Sequence, residues 1–370
     1  MNIFNLLIYL SLIIIIIELI IRLIISLESL NILSSNLSSI VNKKVSNTKS
    51  LYFKSHPYAL YVKVPNADGL YPANNLGYVG KQDTNIEKKD GIIRIYCVGG
   101  STIQQHDDSL GTGSHWPGLM QDILNRKLGK KRVEVINAGA SAYTTAESLS
   151  EFILRGIDLK PDILIIYHNI NDAWQAQMIN GFRSDYSHTR KSTDFKLNLL
   201  DRLPNIKFWL SLNFIFRKIV ENFGTKNSLV YRISNPPWAS TQNFDIKRVK
   251  TFKRNVQNII AVALDHNICP IIVNWECDWE SELEIPYFIS SDNKYLSNKL
   301  KKYLHANNMA LKELAEEKKI HFIESGPFSS DCFSDKIHFN GKGLKNIADK
   351  VSDNIIDLVQ SMILLKRTKY

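Results

Sequence analysis

The sequence predicts an α/β protein, a three-layer α/β/α sandwich built on a parallel sheet of five strands. Two observations support this class. Short apolar runs such as residues 92–98 are unbroken, which is typical of buried parallel strands. These runs alternate with stretches of helical length, as a parallel sheet with right-handed crossovers requires. With 44% hydrophobic residues, the chain can bury a substantial core.

The elements follow one another in a βα rhythm. Strands are predicted at residues 92–98, 133–137, 163–167, 270–274 and 320–324. Helices are predicted at residues 116–128, 145–155, 244–265, 296–318 and 343–364. Pro117 lies in the first turn of the first helix, and Thr145 is a suitable N-cap for the second. We therefore expect one main domain over residues 75–365, with an insertion at residues 173–242.

An apolar segment at residues 6–27 precedes this domain. Of its 22 residues, 17 are Leu or Ile. A helix of this length measures roughly 33 Å, enough to cross a hydrocarbon core of about 30 Å. The run is longer than the apolar part of a secretory signal peptide, and no cleavage site of small residues follows it. The sequence therefore predicts a single transmembrane anchor within residues 1–30.

Two charges, Glu18 and Arg22, interrupt the apolar segment. Each central charge costs roughly 2.5–3.5 kcal/mol, and the apolar residues together return roughly 5–10 kcal/mol, so insertion remains favourable. Their i,i+4 spacing places both charges on one helix face. They form either a pair with each other, which we favour, or a contact with another membrane helix.

Residues 31–74 are predicted to be a tether and lead-in, because the stretch after the anchor is rich in Ser, Asn and Lys and has little periodicity. No Lys or Arg precedes Arg22, whereas four lysines follow the anchor: Lys43, Lys44, Lys49 and Lys54. Taken literally, the positive-inside rule places the large domain in the cytoplasm.

The charge balance narrows the choice of partners. The chain has 46 Lys and Arg against 36 Asp and Glu, a net charge of +10. Such a balance suits nucleic acid, an anionic membrane surface or an anionic glycan. No block of five or six basic residues occurs, which argues against nucleic acid. The four cysteines show no Cys-x-x-Cys pair and no Cys/His metal spacing, so we expect no metal and no cofactor.

Polar groups with complementary chemistry follow the predicted strands. Ser101 comes directly after the first strand, at the sheet edge where α/β proteins bind ligands. A serine nucleophile needs a base and an acceptor that orients the base, and His338 and Asp335, three residues apart before the last helix, can supply both. The N–H groups of Ser101 and Gly139 and the side-chain amide of Asn171 can form an oxyanion hole.

Four motifs resemble the blocks of the SGNH, or GDSL-like, hydrolase superfamily. They are Gly-Gly-Ser-Thr at residues 99–102, Asn-Ala-Gly at 137–139, Asn-Ile-Asn-Asp at 169–172 and Asp-Lys-Ile-His at 335–338. The resemblance covers roughly residues 75–360. It implies a flavodoxin-like sheet of order 2-1-3-4-5. It also implies that Ser101 is the nucleophile, that Asp335 orients the base His338, and that Gly139 and Asn171 line the oxyanion hole.

Two positions depart from the usual family pattern. Gly100 stands where most members have Asp, a form that many membrane-anchored members share. Asn169 stands where the third block usually has Gly, and Asn tolerates left-handed backbone better than most residues. The stretch at residues 75–80 also resembles a lead-in of anchored members.

The resemblance implies a serine ester hydrolase that lies outside the cytoplasmic membrane, against the literal charge count. Its substrate would be an ester of a polysaccharide or lipid, and we favour a small acyl group such as acetate on a cell-envelope carbohydrate. An O-acyltransferase with the same triad is one alternative. A non-catalytic glycan-binding or assembly protein is another.

Substrate choice is expected to depend on the insertion, because such segments carry specificity on a rigid scaffold. Within it, residues 208–223 are aromatic-rich with a helical period and form either part of the core or a lid or bilayer-surface helix. Cys277 and Cys332 both fall near the predicted catalytic edge. They are either disulfide-bonded, which requires an oxidising compartment, or two free thiols.

Overall fold

The computed structural model describes residues 9, 12–20, 23, 52–68, 72–110, 114–177, 182–187, 244–279 and 298–367. Two short strands, β1 Phe53–His56 and β2 Leu60–Lys63, form an antiparallel hairpin. A separate parallel sheet consists of five strands: β3 Ile93–Gly99, β4 Val133–Asn137, β5 Ile163–Tyr167, β6 Cys269–Val273 and β7 His321–Ile323. In space these run in the order β4-β3-β5-β6-β7. Counted along the chain, this is the order 2-1-3-4-5 that the resemblance implies.

Helices connect the parallel strands. In chain order they are α1 Ser101–Gln104, α2 Trp116–Lys127, α3 Thr145–Glu151, α4 Ile170–Gln177, α5 Ile246–Asp265, α6 Asn298–Lys318 and α7 Gly341–Arg367. Short 3₁₀ turns lie at Asp108–Leu110, Ile157–Leu159 and Ser330–Cys332, and a π-helical turn at Phe152–Gly156 extends α3.

The central strands β3, β5 and β6 are buried on both faces, which explains why they are mostly apolar. Successive side chains of β3 point to opposite faces. Ile95 and Cys97 pack in the core that α2 and α7 cover, whereas Tyr96 and Val98 pack in the core that α3 and α5 cover. Each fully buried apolar side chain stabilises the fold by about 1.5–3 kcal/mol. The sheet therefore lies between two helical layers, as predicted.

The start of α3 differs from the prediction by one residue. Thr144, not Thr145, is the N-cap. The Thr144 hydroxyl accepts a hydrogen bond from the N–H of Ala146 at 3.3 Å, and the N–H of Thr144 donates to the Glu147 carboxylate at 2.7 Å. Glu147 lies three residues after Thr144, so this reciprocal capping box fixes where the helix begins.

The short helix α1, the helix α4 and the β1–β2 hairpin were not predicted. The helix α4 places Asn171 and Asp172 in the first turn of a helix. The β1–β2 hairpin lies within the segment predicted to be tether and lead-in, and it packs on the main domain through Tyr61 and Tyr143. The following lead-in loop crosses the edge of the sheet, where Val79 pairs with Asn137.

Only part of the N-terminal apolar segment is described, and residues 12–20 within it are helical. Across the described ranges, no helix combines the length and the apolar character needed to cross a membrane. The remainder of the predicted anchor lies outside the described residues. So do the aromatic-rich residues 208–223 and most of the predicted insertion.

Candidate active site

Ser101 is the first residue of α1, directly after the central strand β3. The two glycines that precede it are required by close approach. Gly100 has φ −89°, outside the left-handed region, but a Cβ atom there would collide with the side-chain amide of Asn171. The turn therefore brings the Ser101 hydroxyl and the Asn171 amide to the same sheet edge.

The loop before α7 carries an imidazole to the Ser101 hydroxyl. His338 Nε2 lies 3.0 Å from Ser101 Oγ, and His338 Nδ1 lies 2.8 Å from Asp335 Oδ2. The other carboxylate oxygen of Asp335 accepts the N–H groups of Ile337 and His338, both at 2.8 Å. Both oxygens of the carboxylate are thus used, one to shape the loop and one to orient the ring.

Contacts outside the loop hold it against the turn at residues 99–101. The Gln105 side chain, one residue after α1, donates to the carbonyl oxygen of Phe339 at 3.0 Å. The N–H of Asp278 donates to the carbonyl oxygen of Lys336 at 3.0 Å. Trp275, which is fully buried, donates its indole N–H to the Thr102 hydroxyl at 3.2 Å. Segments after β3, β6 and β7 therefore brace one another around Ser101.

The two other predicted oxyanion donors differ in their arrangement. Asn171 Nδ2 donates one hydrogen to the carbonyl oxygen of Tyr143 at 2.8 Å, which leaves its second N–H to serve a ligand. Gly139 packs against α1, but its N–H donates to the Asn137 side chain at 2.9 Å. The structure thus brings Gly139 beside α1 and directs its N–H to Asn137.

A buried polar network lies beneath the Asn171 turn. The Asp172 carboxylate accepts from the Thr145 N–H at 3.2 Å and from the Thr145 hydroxyl at 2.5 Å. Burial raises the pKa of Asp172 to about 7. His168 Nε2 lies 2.8 Å from the Ser148 hydroxyl, and burial lowers the pKa of His168 to about 3. This network ties α4 to α3 and is shielded from solvent, so it supports the site rather than forming a second one.

Asn169, which replaces the usual Gly of the third block, does not adopt a left-handed backbone. Its side chain instead bridges to α6. Asn169 Nδ2 donates to Asn308 Oδ1 at 2.8 Å, and Asn169 Oδ1 accepts from Asn307 Nδ2 at 3.0 Å. Asn308 in turn donates to the carbonyl oxygen of Trp275 at 2.8 Å. The substitution therefore replaces a flexible position with a link between two helices of the site.

The proposed disulfide is not formed. Cys277 and Cys332 are both buried free thiols. The Cys332 thiol faces other partners, since Asn346 Nδ2 lies 3.4 Å from its sulfur and Ser329 Oγ lies 3.6 Å away. The other alternative from the sequence, two free thiols, is the arrangement observed.

A polar cleft of about 240 Å³ lies at the sheet edge beside β4, lined among others by Asn74, His115 and Glu134. None of Ser101, Asn171 and His338 lines it. Burial lowers the pKa of His115 to about 4, and its Nδ1 accepts the N–H of Gly118 as the N-cap of α2. Across the described ranges, no group of three His, Cys, Asp or Glu side chains is arranged to hold a metal ion.

The comparison with protein families shows which family the chain belongs to. The family model described as the GDSL-like lipase/acylhydrolase family matches residues 97–345, about two thirds of the chain. The chain belongs to this family. It is therefore an ester-hydrolysing enzyme.

Solved structures of an acylhydrolase and of an esterase are similar to this chain in outline. A lipase/acylhydrolase from Enterococcus faecalis is 15% identical, with 72% of this chain and 96% of that chain covered and a TM-score of 0.41. An acetylxylan esterase from Geobacillus stearothermophilus, solved as a catalytic mutant, is 13% identical, with 73% and 96% covered and a TM-score of 0.43. At this identity and TM-score, neither likeness bears on the substrate. No curated protein matches the chain.

Proposed function

We propose that this GDSL-like acylhydrolase works through a Ser101–His338–Asp335 triad. The observation that carries the proposal is one continuous chain of hydrogen-bonding contacts, 3.0 Å from Ser101 Oγ to His338 Nε2 and 2.8 Å from His338 Nδ1 to Asp335. Both distances lie within the range for proton transfer and for orientation of the base. The ring is half-buried and the serine is partly exposed, so a substrate carbonyl can reach the hydroxyl.

The proposed reaction has two halves. Ser101 Oγ attacks the ester carbonyl carbon while His338 Nε2 takes the hydroxyl proton, and Asp335 stabilises the imidazolium. The tetrahedral intermediate then collapses, and the alcohol leaves with the proton from His338. In the second half, water attacks the acyl-Ser101 carbonyl carbon and gives a proton to His338 Nε2. The second tetrahedral intermediate then collapses, the bond to Ser101 Oγ breaks, and His338 returns the proton to this oxygen, which releases the carboxylic acid and free Ser101.

The negative charge of each tetrahedral intermediate needs donors. The Ser101 N–H lies in the first turn of α1, where N–H groups have no acceptor within the helix. The second N–H of the Asn171 amide is the other proposed donor. Gly139 joins them when its N–H is shared between Asn137 and the oxyanion. Each such donor is worth about 10²–10³ in kcat.

For the substrate, we propose an ester of a small acyl group, such as acetate, on a cell-envelope carbohydrate. It is supported by the resemblance of residues 75–80 and 99–102 to anchored family members and by the predicted membrane segment. We expect kcat/KM for p-nitrophenyl acetate to exceed that for the octanoate ester by about tenfold or more, since a pocket made for acetate excludes longer chains. Stopped assays on the ester series measure this, and faster octanoate turnover would reject the small-acyl proposal.

An acetylated polysaccharide tests whether water or a sugar hydroxyl accepts the acyl group. A hydrolase releases free acetate from it, and the same polysaccharide after chemical deacetylation serves as the control. If water is the acceptor, adding a free oligosaccharide leaves acetate release unchanged. Appearance of acetylated oligosaccharide with an equal loss of free acetate would assign the chain as an O-acyltransferase instead.

We further propose that residues 6–27 anchor the protein in the membrane and place the hydrolase domain outside the cytoplasm. The apolar length of the segment supports the anchor. The expected result is that the full chain remains in the membrane fraction after an alkaline carbonate wash, whereas a chain that begins at residue 52 does not. A reporter active only outside the cytoplasm, fused at the C-terminus, tests the orientation. Activity of a cytoplasm-specific reporter at the C-terminus would instead place the hydrolase domain in the cytoplasm, as the positive-inside rule predicts when taken literally.

A further inference from the structure

The β1–β2 hairpin lies against the loop that carries the acceptor of the Asn171 amide. We propose that Tyr61 and Tyr143, here called the tyrosine clasp, are positioning residues that hold the Asn171 amide in place for the oxyanion. The proposal rests on the role proposed above for Asn171. It assigns a part in catalysis to a hairpin that precedes the family match at residues 97–345.

The first link is between the clasp and the amide. Asn171 Nδ2 donates to the backbone carbonyl oxygen of Tyr143 at 2.8 Å. Because an amide group is planar, fixing one of its N–H bonds sets the direction of the other. A shift of the Tyr143 carbonyl would therefore turn the free N–H of Asn171 away from the position of the oxyanion, to which it must be aligned.

The second link joins the hairpin to this loop through the hydroxyl groups of the two tyrosines. The Tyr143 hydroxyl donates to the backbone carbonyl oxygen of Tyr61, and the Tyr61 hydroxyl donates to the backbone carbonyl oxygen of Ser141. The Tyr143 hydroxyl also lies 3.3 Å from the carbonyl oxygen of Ala59. The rings meet edge to face, with centroids 5.0 Å apart. Both tyrosines are buried, with 3% and 1% of their surfaces exposed.

The third observation is that each tyrosine follows a residue in the left-handed region. Leu60 and Ala142 both have φ 62°, a conformation that residues with a side chain rarely adopt. The N–H of Tyr61 donates to the carbonyl oxygen of Ala59 at 2.7 Å, a tight three-residue turn around Leu60. Conformations of this kind persist only where surrounding contacts hold them. The hydrogen bonds of the two tyrosine hydroxyls lie next to both positions, at Tyr61 and at Ser141.

These observations give the clasp a function beyond burial. The loop at residues 140–144 has no regular secondary structure before α3, so its carbonyl groups are fixed by its partners. The hairpin supplies one such partner, the Tyr61 hydroxyl at the carbonyl oxygen of Ser141, and its own Tyr61 carbonyl oxygen accepts the Tyr143 hydroxyl. The hairpin therefore sets where the Tyr143 carbonyl lies, and through it the orientation of Asn171.

The test compares Tyr143→Phe and Tyr61→Phe with a matched control, Tyr303→Phe. Tyr303 is also buried, and its hydroxyl accepts the N–H of Asp245 far along the chain from the clasp. Each change removes one hydroxyl and keeps the ring. We expect kcat on p-nitrophenyl acetate to fall about tenfold in both clasp variants, with KM within about twofold, because ground-state binding does not use the oxyanion donor. Tyr303→Phe should change kcat by less than about twofold at a similar loss of thermal midpoint.

A double-mutant cycle separates positioning from general destabilisation. Asn171→Ala alone is expected to lower kcat by about 10²–10³. In the Asn171→Ala background, Tyr143→Phe should have no further effect, because the group it positions is gone. An additive tenfold loss would overturn the clasp, as would unchanged kcat in the single clasp variants. Full activity of Asn171→Ala would overturn the proposed oxyanion role and the clasp together, whereas a loss in Asn171→Ala alone would overturn only the clasp.

Discussion

Ser101→Ala is expected to lower kcat/KM for p-nitrophenyl acetate by about 10⁴-fold or more, with little change in stability. In the proposed triad, only this hydroxyl can form the acyl-enzyme, and loss of a serine nucleophile removes nearly all of the acceleration that a triad supplies. Its hydrogen bond joins a partly exposed hydroxyl to a half-buried ring. Its loss should therefore change the free energy of unfolding by less than about 0.5–1 kcal/mol.

Ser114→Ala is the matched control for this change. Ser114 is also half-buried, and its hydroxyl donates to the carbonyl oxygen of Leu110 at 3.1 Å. We expect full activity in this variant. A fluorophosphonate probe should label the wild type and Ser114→Ala, and it should not label Ser101→Ala. Turnover by Ser101→Ala within tenfold of the wild type, or labelling of that variant, would contradict the assignment of the nucleophile.

The parallel sheet could be predicted from the sequence because its central strands β3, β5 and β6 are buried on both faces. Such strands appear as unbroken runs of Ile, Val and Leu, and turn residues mark their ends. The strands at residues 133–137 and 163–167 have the predicted bounds. The β1–β2 hairpin has no comparable signal. Its strands have four residues each, and tertiary contacts to the loop at residues 140–144 hold it in place.

The positions of the candidate site residues could be predicted from the sequence, but not all of their hydrogen bonds. Ser101, Asn171 and the Asp335–His338 loop all follow strands or precede a helix, and parallel topology brings such positions to one edge. The direction of single hydrogen bonds could not be predicted. The N–H of Gly139 is taken by Asn137, two residues before it, which depends on a side-chain rotamer that motif spacing does not specify.

The residues that the sequence did not indicate are those that contact residues of the candidate site and support them. Tyr61 and Tyr143 lie about 80 residues apart, and no periodicity relates them. Asn169 could be recognised as a departure from the family pattern, but its partners Asn307 and Asn308 are on α6, which only the fold brings close. Support of this kind is a property of the packed structure, because it depends on which backbone carbonyl groups a side chain reaches.

Asp335→Asn should cost about 10³–10⁴ in kcat while the loop keeps its shape. The Asn oxygen can still accept the N–H groups of Ile337 and His338, which Asp335 Oδ1 accepts at 2.8 Å. The new NH₂ group would occupy the position of Oδ2, 2.8 Å from His338 Nδ1. Because NH₂ is a donor, it favours the tautomer whose proton is on Nε2, and this nitrogen can no longer accept the proton of Ser101.

Asp331→Asn is the control, since Asp331 is an exposed carboxylate four residues earlier, paired with Lys342 at 2.5 Å. We expect this variant to keep kcat within about twofold, because an exposed pair contributes little to stability and does not touch the imidazole. The measurement is kcat on p-nitrophenyl acetate for both variants, with the thermal midpoint as a check of folding. If Asp335→Asn lost less than tenfold while folded, the carboxylate would serve only to shape the loop, and His338 would act as a base without a partner at Nδ1.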